Sequence, residues 1–376
     1  MGVMHRVFMI CLALAALAVV TVVCGCGGGG RQIQKQVGQI STSEISSGRS
    51  ICSGKAPDFS VLVSVGASYT AGMQNFCLHE PMEQNGPMAQ AARQLGASLP
   101  LPIFAEEGNV ECWRVQDDGS IYDPLVLPMG LTRLNSSTQN YNIAIPGETV
   151  GQFLRDTAYK TVMHLLILDP NGTLGYSVSQ ADVMEALHPT FIMSTDLAGN
   201  NLLDYEEWYE YKDDYREAIR RMSETGADFF VANQPDITKL PGWDEYYSPE
   251  IVSYYQNMVQ ETNKEIKKVV VDEYGGHVVD LFSAMREWDS GVSVSGVTLD
   301  FEFGNGIFSL DALHLTSVGY ALIANEFIKK INTVYDCRYP EIDIAQVLAT
   351  EPYSPKTIKC NNSLDVDDIT CEKLSP

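Results

Sequence analysis

Short runs of β-forming residues alternate with longer helical patterns between residue 60 and about residue 331, and this alternation is the strongest constraint on the fold. The candidate strands are residues 60–65, 141–145, 191–195, 228–232 and 277–281. The candidate helices are residues 87–95, 150–155, 213–224, 248–274 and 317–331, the last with apolar residues at intervals of three and four. Strands that alternate with helices form a parallel sheet covered on both faces. We therefore predict an α/β protein, a three-layer α/β/α sandwich around a five-stranded parallel sheet.

The amino terminus has the pattern of an export signal. Arg6 precedes an apolar run at residues 7–23, which stops at Cys24, Gly25 and Cys26. Residues 23–26 are similar to a bacterial lipobox, whose lipidated cysteine becomes the mature amino terminus, and we predict Cys26 as that cysteine, with Cys24 second. An uncleaved short membrane anchor and an ordinary cleaved signal peptide are alternatives. All three place the protein outside the cytoplasm. As a lipoprotein it would be anchored to a membrane, in the periplasm, at the outer membrane or at the cell surface.

Composition divides the chain into four parts. Residues 1–26 are the predicted signal peptide, and residues 27–55, rich in Gln, Ser, Thr and Gly, are a flexible tether. Residues 56–335 form the folded domain, with a long insertion at about 74–140 after the first strand. The last part, residues 336–376, is a cysteine-containing extension that we expect to wrap over the domain.

Six cysteines remain once the leader and the lipidated residue are set aside. They are Cys52, Cys77, Cys112, Cys337, Cys360 and Cys371. In an oxidising compartment this even number predicts up to three disulfides, whose pairing the sequence does not determine. A zinc site is the competing interpretation. Because no two of the six have C-x-x-C spacing, we predict no metal.

The formal net charge of −23 excludes one class of partner. Nucleic acid is a polyanion and is bound by basic surfaces that release its counterions. We therefore predict no nucleic-acid partner.

Ser68 is the first candidate catalytic residue. It follows Gly66 and Ala67 directly after the first predicted strand, where a strand ends and a helix begins. A serine at such a junction faces the sheet edge, and its own backbone N–H can stabilise an oxyanion. A Gly-Ala-Ser turn is also an ordinary exit from a strand, so this pattern alone is weak.

Asp311 and His314 form the second candidate, just before the last long helix. A carboxylate three residues before a histidine can orient the imidazole from within one turn, and the imidazole can then accept the proton of a serine. An isolated D-x-x-H pattern is more often a polar pair in a loop or a helix cap. In combination with Ser68 it suggests a Ser-His-Asp triad.

In this order the two segments resemble the first and last sequence blocks of the SGNH hydrolases, also called GDSL lipases or esterases. Residues 141–150 are similar to the second block of this family, which implies that the backbone N–H of Gly147 is an oxyanion donor. Residues 198–203 lie where the family has its G-x-N-D block, which implies an asparagine amide as a further donor. Residues 233–241 are similar to a loop of lipoprotein members, and the likeness covers most of residues 56–335. It implies the flavodoxin-like fold of the family.

Two alignments compete for the asparagine. If Ala198 replaces the glycine of the family, Asn200 is the donor; if Gly199 is that glycine, Asn201 is the donor. We prefer Asn200, because Asn201 then replaces the aspartate of the block, which is a mild change. Residues 196–207 also imitate a calcium-binding loop, but Ala198 and Asn201 occupy places where such a loop needs a ligand and a glycine.

The resemblance implies a serine ester hydrolase that needs no cofactor and acts on acyl or acetyl esters of a small molecule, lipid or glycan. Ser68, Asp311 and His314 would be catalytic, and Ser68, Gly147 and Asn200 or Asn201 would form the oxyanion hole. The sequence departs from the family at Ala67, where the GDSL motif has aspartate. The alternative is therefore a surface lipoprotein that uses a degenerate hydrolase fold to bind glycan, lipid or protein without turnover.

Overall fold

The computed structural model describes residues 51–106, 112–116, 120–122, 131–136, 138–158, 160–174, 177–243, 247–302, 306–351, 358–360 and 371–373. The predicted signal peptide, Cys24, Cys26 and the tether up to residue 50 lie outside the described residues. None of the helices in the part of the chain that is described is long and apolar enough to cross a membrane.

The described elements follow the predicted α/β alternation. The strands are β1 (Leu62–Ser64), β2 (Arg114–Val115), β3 (Ile121–Tyr122), β4 (Phe191–Ser194), β5 (Asp228–Ala232), β6 (His277–Val279), β7 (Val292–Val294), β8 (Val297–Leu299), β9 (Ile358–Cys360) and β10 (Cys371–Lys373). The helices are α1 (Ser68–Ala71), α2 (Glu80–Gln84), α3 (Pro87–Leu95), α4 (Val150–Arg155), α5 (Val162–Leu168), α6 (Gln180–Ala186), α7 (Gly199–Leu203), α8 (Trp208–Glu224), α9 (Pro249–Lys267), α10 (Leu281–Asp289), α11 (Ser317–Tyr335) and α12 (Ile344–Leu348). A 3₁₀ turn at Ile237–Lys239 and a π-helical turn at Lys268–Glu273 complete them.

The central sheet is parallel and has the strand order β1-β4-β5-β6. Leu62 pairs with Phe191, Ile192 with Phe229, and Phe230 with His277. Three two-stranded antiparallel ribbons, β2-β3, β7-β8 and β9-β10, lie outside it. The parallel α/β prediction is confirmed.

The predicted count of five strands is wrong, because residues 141–145 do not form a regular strand. They run beside β1 with a single parallel bridge between Ser64 and Asn142. Ser64 donates a hydrogen bond to the Tyr141 carbonyl (2.8 Å), and Ile143 donates to the Ser64 carbonyl (3.0 Å). The segment therefore occupies the outer edge of the sheet, but a single bridge to β1 is too little ladder pairing for a strand.

Side chains that alternate along each strand divide the core into two layers. In β1, Leu62 packs into one buried cluster and Val63 into the other. The first cluster contains α3, α10 and α11, with Met88 and Phe327 among its members, and the second contains α4, α6 and α8, with Tyr215. Successive side chains of a strand point to opposite faces, so a sheet covered by helices on both faces has such a core. The three-layer prediction is confirmed.

Helix prediction was most accurate where local end signals are strong. The bounds of α3 agree with the prediction, between Gly86 before Pro87 and Gly96 in the left-handed conformation. Those of α4 also agree, after a capping box between Thr149 and Gln152. The helix predicted at 213–224 begins earlier, at Trp208, and the helix predicted at 317–331 continues to Tyr335.

The six cysteines form three disulfides, Cys52–Cys337, Cys77–Cys112 and Cys360–Cys371. The first joins the beginning of the described chain to the residues after α11, across 285 positions. The third closes the β9-β10 ribbon. Because disulfides persist in oxidising compartments, this pairing indicates an extracellular or periplasmic protein.

Candidate active site

Ser68 lies at the carboxyl edge of the sheet, as the first residue of α1 after β1. Gly66 has φ +140°, and a Cβ there would lie 2.7 Å from both Asp196 Oδ1 and Thr70 Oγ1. Only glycine allows the chain to turn this closely past Asp196. The half-exposed Ser68 side chain lines a cleft at this edge.

The carboxylate of Asp196 organises the backbone around Ser68. Asp196 follows β4 by two residues and accepts hydrogen bonds from the N–H groups of Ala67 (2.9 Å), Tyr69 (2.8 Å) and Thr70 (3.4 Å). The Thr70 hydroxyl donates to the same carboxylate at 2.7 Å. The N–H of Ser68 itself has no acceptor among the described residues, so it is available to a ligand.

Sequence reasoning missed this role, since it treated Asp196 only as part of an apparent calcium-binding loop. In the structure that loop contains helix α7, and the Asp196 carboxylate is occupied by the backbone around Ser68. A signal was available, because an acidic residue directly after a parallel strand lies at the same edge as the end of β1.

Asp311 and His314 form a buried pair. Asp311 Oδ2 lies 2.8 Å from His314 Nδ1, and Asp311 Oδ1 accepts from the backbone N–H of His314 (2.7 Å) and of Leu313 (3.0 Å). The N–H of Phe76 donates to Asp311 Oδ2 at 2.6 Å. Ala312 has φ +57°, which tightens the turn enough for Asp311 to reach the imidazole three residues later.

The electrostatics of the pair favour an ionised carboxylate. Asp311 is fully buried and His314 is 2% exposed. Burial alone would raise the pKa of Asp311, but the neighbouring His314 and the N–H donors of His314 and Leu313 bring this pKa below its ordinary value. A carboxylate that stays ionised can hold the imidazole in one tautomer and stabilise its protonated form.

Aromatic side chains place the imidazole near the Ser68 turn. The His314 ring contacts the edges of Tyr69 and Phe76, with centroid distances of 6.1 and 5.4 Å. The Tyr69 hydroxyl donates to the Leu313 carbonyl at 2.7 Å, and Leu313 lines the same cleft as Ser68. Within the described part of the chain, Ser68 Oγ makes no hydrogen bond, including none to His314. Such contacts are often loose before substrate is bound.

The predicted oxyanion donors have different surroundings. Gly147 has φ +84°, a Cβ there would meet nothing within 4 Å, and its N–H has no acceptor among the described residues. Gly147 is not itself among the residues that line the cleft, but the carbonyl of the next residue, Glu148, accepts from Asn200 Nδ2 (2.8 Å). Asn200 lines the cleft.

Asn201 points into the protein and is only 1% exposed. Its Oδ1 accepts from the N–H of Val150 at 3.0 Å, and its Nδ2 donates to Glu206. Both ends of this amide are therefore engaged in structural hydrogen bonds.

The cleft beside Ser68 has one largely apolar wall. It is lined by Leu203, Ile237, Leu240, Met285, Phe301, Phe308 and Leu313, together with Asn200, Gln234 and Lys239 among its polar residues. Lys239 is paired with Asp289 at 3.0 Å, whereas the buried Gln234 Nε2 has no hydrogen-bond partner among the described residues. The cleft can therefore accommodate an apolar group next to the serine.

Two clusters of metal-ligating side chains exist in the described residues, and neither fits a metal ion well. Cys77 and Cys112, near His79, are joined as a disulfide, so their thiolates are not free ligands. In the other, His164 Nε2 is hydrogen-bonded to Glu148 at 2.9 Å, and Asp156 is paired with Lys160. The Lys160 ammonium group would therefore compete with a metal cation for the Asp156 carboxylate.

Comparison with known proteins identifies the class of protein. The parallel α/β sandwich is that of the SGNH, or GDSL-like, hydrolases. The family model described as GDSL-like lipase/acylhydrolase matches residues 62–327, most of the chain, and the protein belongs to this family. It is therefore a hydrolase that acts on ester bonds. No curated protein matches the chain.

Solved structures similar to the chain include three esterases. A family 3 carbohydrate esterase of Clostridium thermocellum is 16% identical, with a TM-score of 0.38, over 73% of this chain and 96% of its own. The psychrotrophic esterase EstA of a Pseudoalteromonas species is 12% identical, with a TM-score of 0.38, over 73% and 99%. An acetyl-xylooligosaccharide esterase of Geobacillus stearmophilus is 13% identical, with a TM-score of 0.38, over 72% and 93%.

Proposed function

We propose that the protein hydrolyses carboxylic esters with Ser68 as nucleophile, His314 as general base and Asp311 as the residue that orients the imidazole. The observation that carries this proposal is the buried Asp311–His314 pair, with 2.8 Å between Oδ2 and Nδ1, beside the turn that carries Ser68. Asp311 holds Nδ1 protonated, so that Nε2 can accept the serine proton.

The reaction has two steps. Ser68 Oγ attacks the ester carbonyl while His314 takes its proton, and the imidazolium then protonates the departing alcohol. Water next attacks the acyl-enzyme with the same imidazole as base, which releases the acid and restores Ser68. The residues of the chain complete this cycle, and it needs no cofactor.

The oxyanion of both steps would accept hydrogen bonds from the N–H groups of Ser68 and Gly147 and from the amide of Asn200. Asn200 is preferred over Asn201, because Asn200 lines the cleft and one hydrogen of its Nδ2 remains for a ligand. Both ends of the Asn201 side chain are engaged elsewhere.

We further propose that residues 56–335 are the hydrolase domain and residues 336–376 an extension wrapped on it. Ser317 N donates to Glu351 in this extension at 2.9 Å, which supports the arrangement. Lipidation at Cys26, after removal of the preceding signal peptide, would anchor the domain to a membrane through the tether at residues 27–55. Mass spectrometry of the mature amino terminus tests the anchor.

Labelling with a fluorophosphonate tests the catalytic proposal, because only an activated serine reacts with this reagent. Intact wild-type protein is expected to gain one adduct at Ser68 and to lose its hydrolysis of p-nitrophenyl butyrate. The Ser68→Ala variant should not be labelled and should lose about 10³-fold or more in kcat. A Ser68→Ala protein with wild-type activity, or labelling confined to another serine, would refute the assignment.

A further inference from the structure

A fully buried glutamine joins the two turns that carry the backbone oxyanion donors. Gln180, the first residue of α6, accepts from the N–H of Gly66 through Oε1 at 2.7 Å. Its Nε2 donates to the Gly66 carbonyl at 3.1 Å and to Glu148 Oε2 at 2.7 Å. Gly66 lies two residues before Ser68, and Glu148 directly follows Gly147. One side chain therefore connects the Ser68 turn to the Gly147 turn.

The other oxygen of the Glu148 carboxylate is held from the opposite side. His164 Nε2 lies 2.9 Å from Glu148 Oε1, and His164 Nδ1 lies 2.7 Å from the Thr161 hydroxyl. Both Glu148 and His164 are buried. Neither is part of the proposed proton-transfer chain, so the reaction leaves this second buried acid–histidine pair without a role.

The network resists displacement because each of its polar groups is paired in a site closed to water. Moving Glu148 would leave a buried carboxylate and a buried amide without hydrogen-bond partners, which is unfavourable in a site closed to water. The Gly66 carbonyl also accepts from the N–H of Ile145 at 3.1 Å, which gives the two turns a backbone connection beside the side-chain one.

We propose that Gln180 and Glu148 are positioning residues that set the separation and direction of the Ser68 and Gly147 N–H groups for the oxyanion. This inference rests on the proposed function, and it adds residues that never touch the substrate. An oxyanion donor contributes only when it is aimed at the place where charge develops, so a shift of either turn weakens the transition state more than the bound ester.

The Gln180→Leu variant tests the connection, since it removes three hydrogen bonds from a buried site. We expect kcat to fall about 100-fold with KM within about threefold, because the loss is confined to the transition state. An alkylboronic acid, which forms a tetrahedral adduct with the serine, should lose affinity in proportion to kcat/KM. If Gln180 only supported the fold, its replacement would lower the melting temperature, but the affinity for the boronic acid would not fall in proportion to kcat/KM.

The Gln180→Glu variant gives an independent readout. It places a second carboxylate against Glu148. In the wild-type protein, burial raises the pKa of Glu148, and hydrogen bonds from His164 and Gln180 oppose that rise. The titratable groups around the site are His164, Asp156 and Lys160, which pairs with Asp156. Two close buried carboxylates share a proton as the pH falls, and the shared proton restores a donor. The ratio of variant to wild-type kcat/KM should therefore rise at least about fivefold from pH 8 to pH 6.

Gln152→Leu is the matched control, because Gln152 also bonds a backbone N–H, that of Thr149, at 2.8 Å in the capping box of α4. It should lower the melting temperature and leave kcat within about twofold.

Fluorophosphonate titration of Ser68 counts the active molecules in every sample. If Ser68 is labelled in wild-type protein but both Gln180 variants keep wild-type kcat, this inference is overturned and the proposed function stands. If Ser68 is not labelled in wild-type protein, the proposed function itself fails.

Discussion

Asp311 Oδ2 lies 2.8 Å from His314 Nδ1, although the two residues are only three positions apart and both are buried. The left-handed backbone of Ala312 between them makes this contact possible within one turn. Asp311 also accepts N–H bonds from His314, Leu313 and Phe76, so its carboxylate is fixed before any substrate arrives.

The Asp311→Asn variant should lose most of its activity while keeping its fold. An amide in place of the carboxylate can donate to Nδ1, which favours the wrong imidazole tautomer and removes the charge that stabilises the imidazolium. We expect kcat to fall about 10³- to 10⁴-fold. Steady-state kinetics on p-nitrophenyl butyrate checks the rate, and circular dichroism checks the fold. A decrease of less than about tenfold would contradict a role for Asp311 in orienting the base.

Acid should remove the stability that Asp311 contributes. Its pKa is lowered in the folded protein from the ordinary value of 3.8, so ionised Asp311 stabilises the fold at pH values above 3.8. This contribution is lost as the pH falls below 3.8 through the folded-state pKa. Urea unfolding between pH 7 and pH 2.5 should show the free-energy difference between wild type and Asp311→Asn narrowing below pH 3.8. A constant difference across this range would contradict the lowered pKa.

The Asp196→Asn variant should disturb the turn at Ser68. Both oxygens of the Asp196 carboxylate accept hydrogen bonds from the turn, whereas an amide has only one acceptor oxygen. The NH₂ group of the variant would face a group that itself donates a hydrogen bond. We expect kcat to fall about 10- to 100-fold through misplacement of Ser68.

Asp169→Asn is the control for this variant, because Asp169 is also buried and accepts from the N–H groups of Thr173 (2.8 Å) and Leu174 (3.1 Å) without lining the cleft. Both variants should lower the melting temperature, but only Asp196→Asn should slow the labelling of Ser68 by fluorophosphonate. Equal labelling rates would indicate that Asp196 supports the fold alone.

The apolar wall of the cleft should set a preference for acyl chains longer than acetyl. Each methylene buried against it contributes about 0.8 kcal/mol, or about fourfold in kcat/KM. Met285→Trp fills this wall, so the ratio of kcat/KM for p-nitrophenyl octanoate to that for the acetate should fall about tenfold or more. Ile251→Trp, at an exposed position of α9, should leave the ratio unchanged. A wild-type enzyme fastest on acetate would contradict the prediction.

The Cys52–Cys337 disulfide should contribute more stability than Cys360–Cys371. It closes a loop of 285 positions against 11, and a longer loop loses more conformational entropy in the unfolded chain. We expect the Cys52→Ala/Cys337→Ala variant to lose about 2–5 kcal/mol in urea unfolding. The Cys360→Ala/Cys371→Ala variant should lose less, and an equal or larger loss there would contradict the loop-length argument.

Sequence prediction is accurate where an element depends on residues close to it in the chain, and fails where it depends on a distant partner. Strand β5 and helices α3 and α4 have the predicted bounds, because apolar periodicity and end signals such as Gly96 and the Thr149 capping box lie within a few residues of each element. The edge segment at residues 141–145 was predicted as a strand, since its composition is that of a strand. Its irregularity lies in its single bridge to β1, and composition does not record how a segment pairs with a distant strand.

The sequence by itself determined the α/β alternation, the position of Ser68 after the first strand and the short turn that joins Asp311 to His314, because each depends on residues close together in the chain. Only the tertiary structure decided that Asp196 holds the backbone on either side of Ser68, that the Asn201 side chain is engaged away from the cleft, and which cysteines pair. These contacts depend on how distant segments pack across the sheet edge, and no local pattern of residues records that packing.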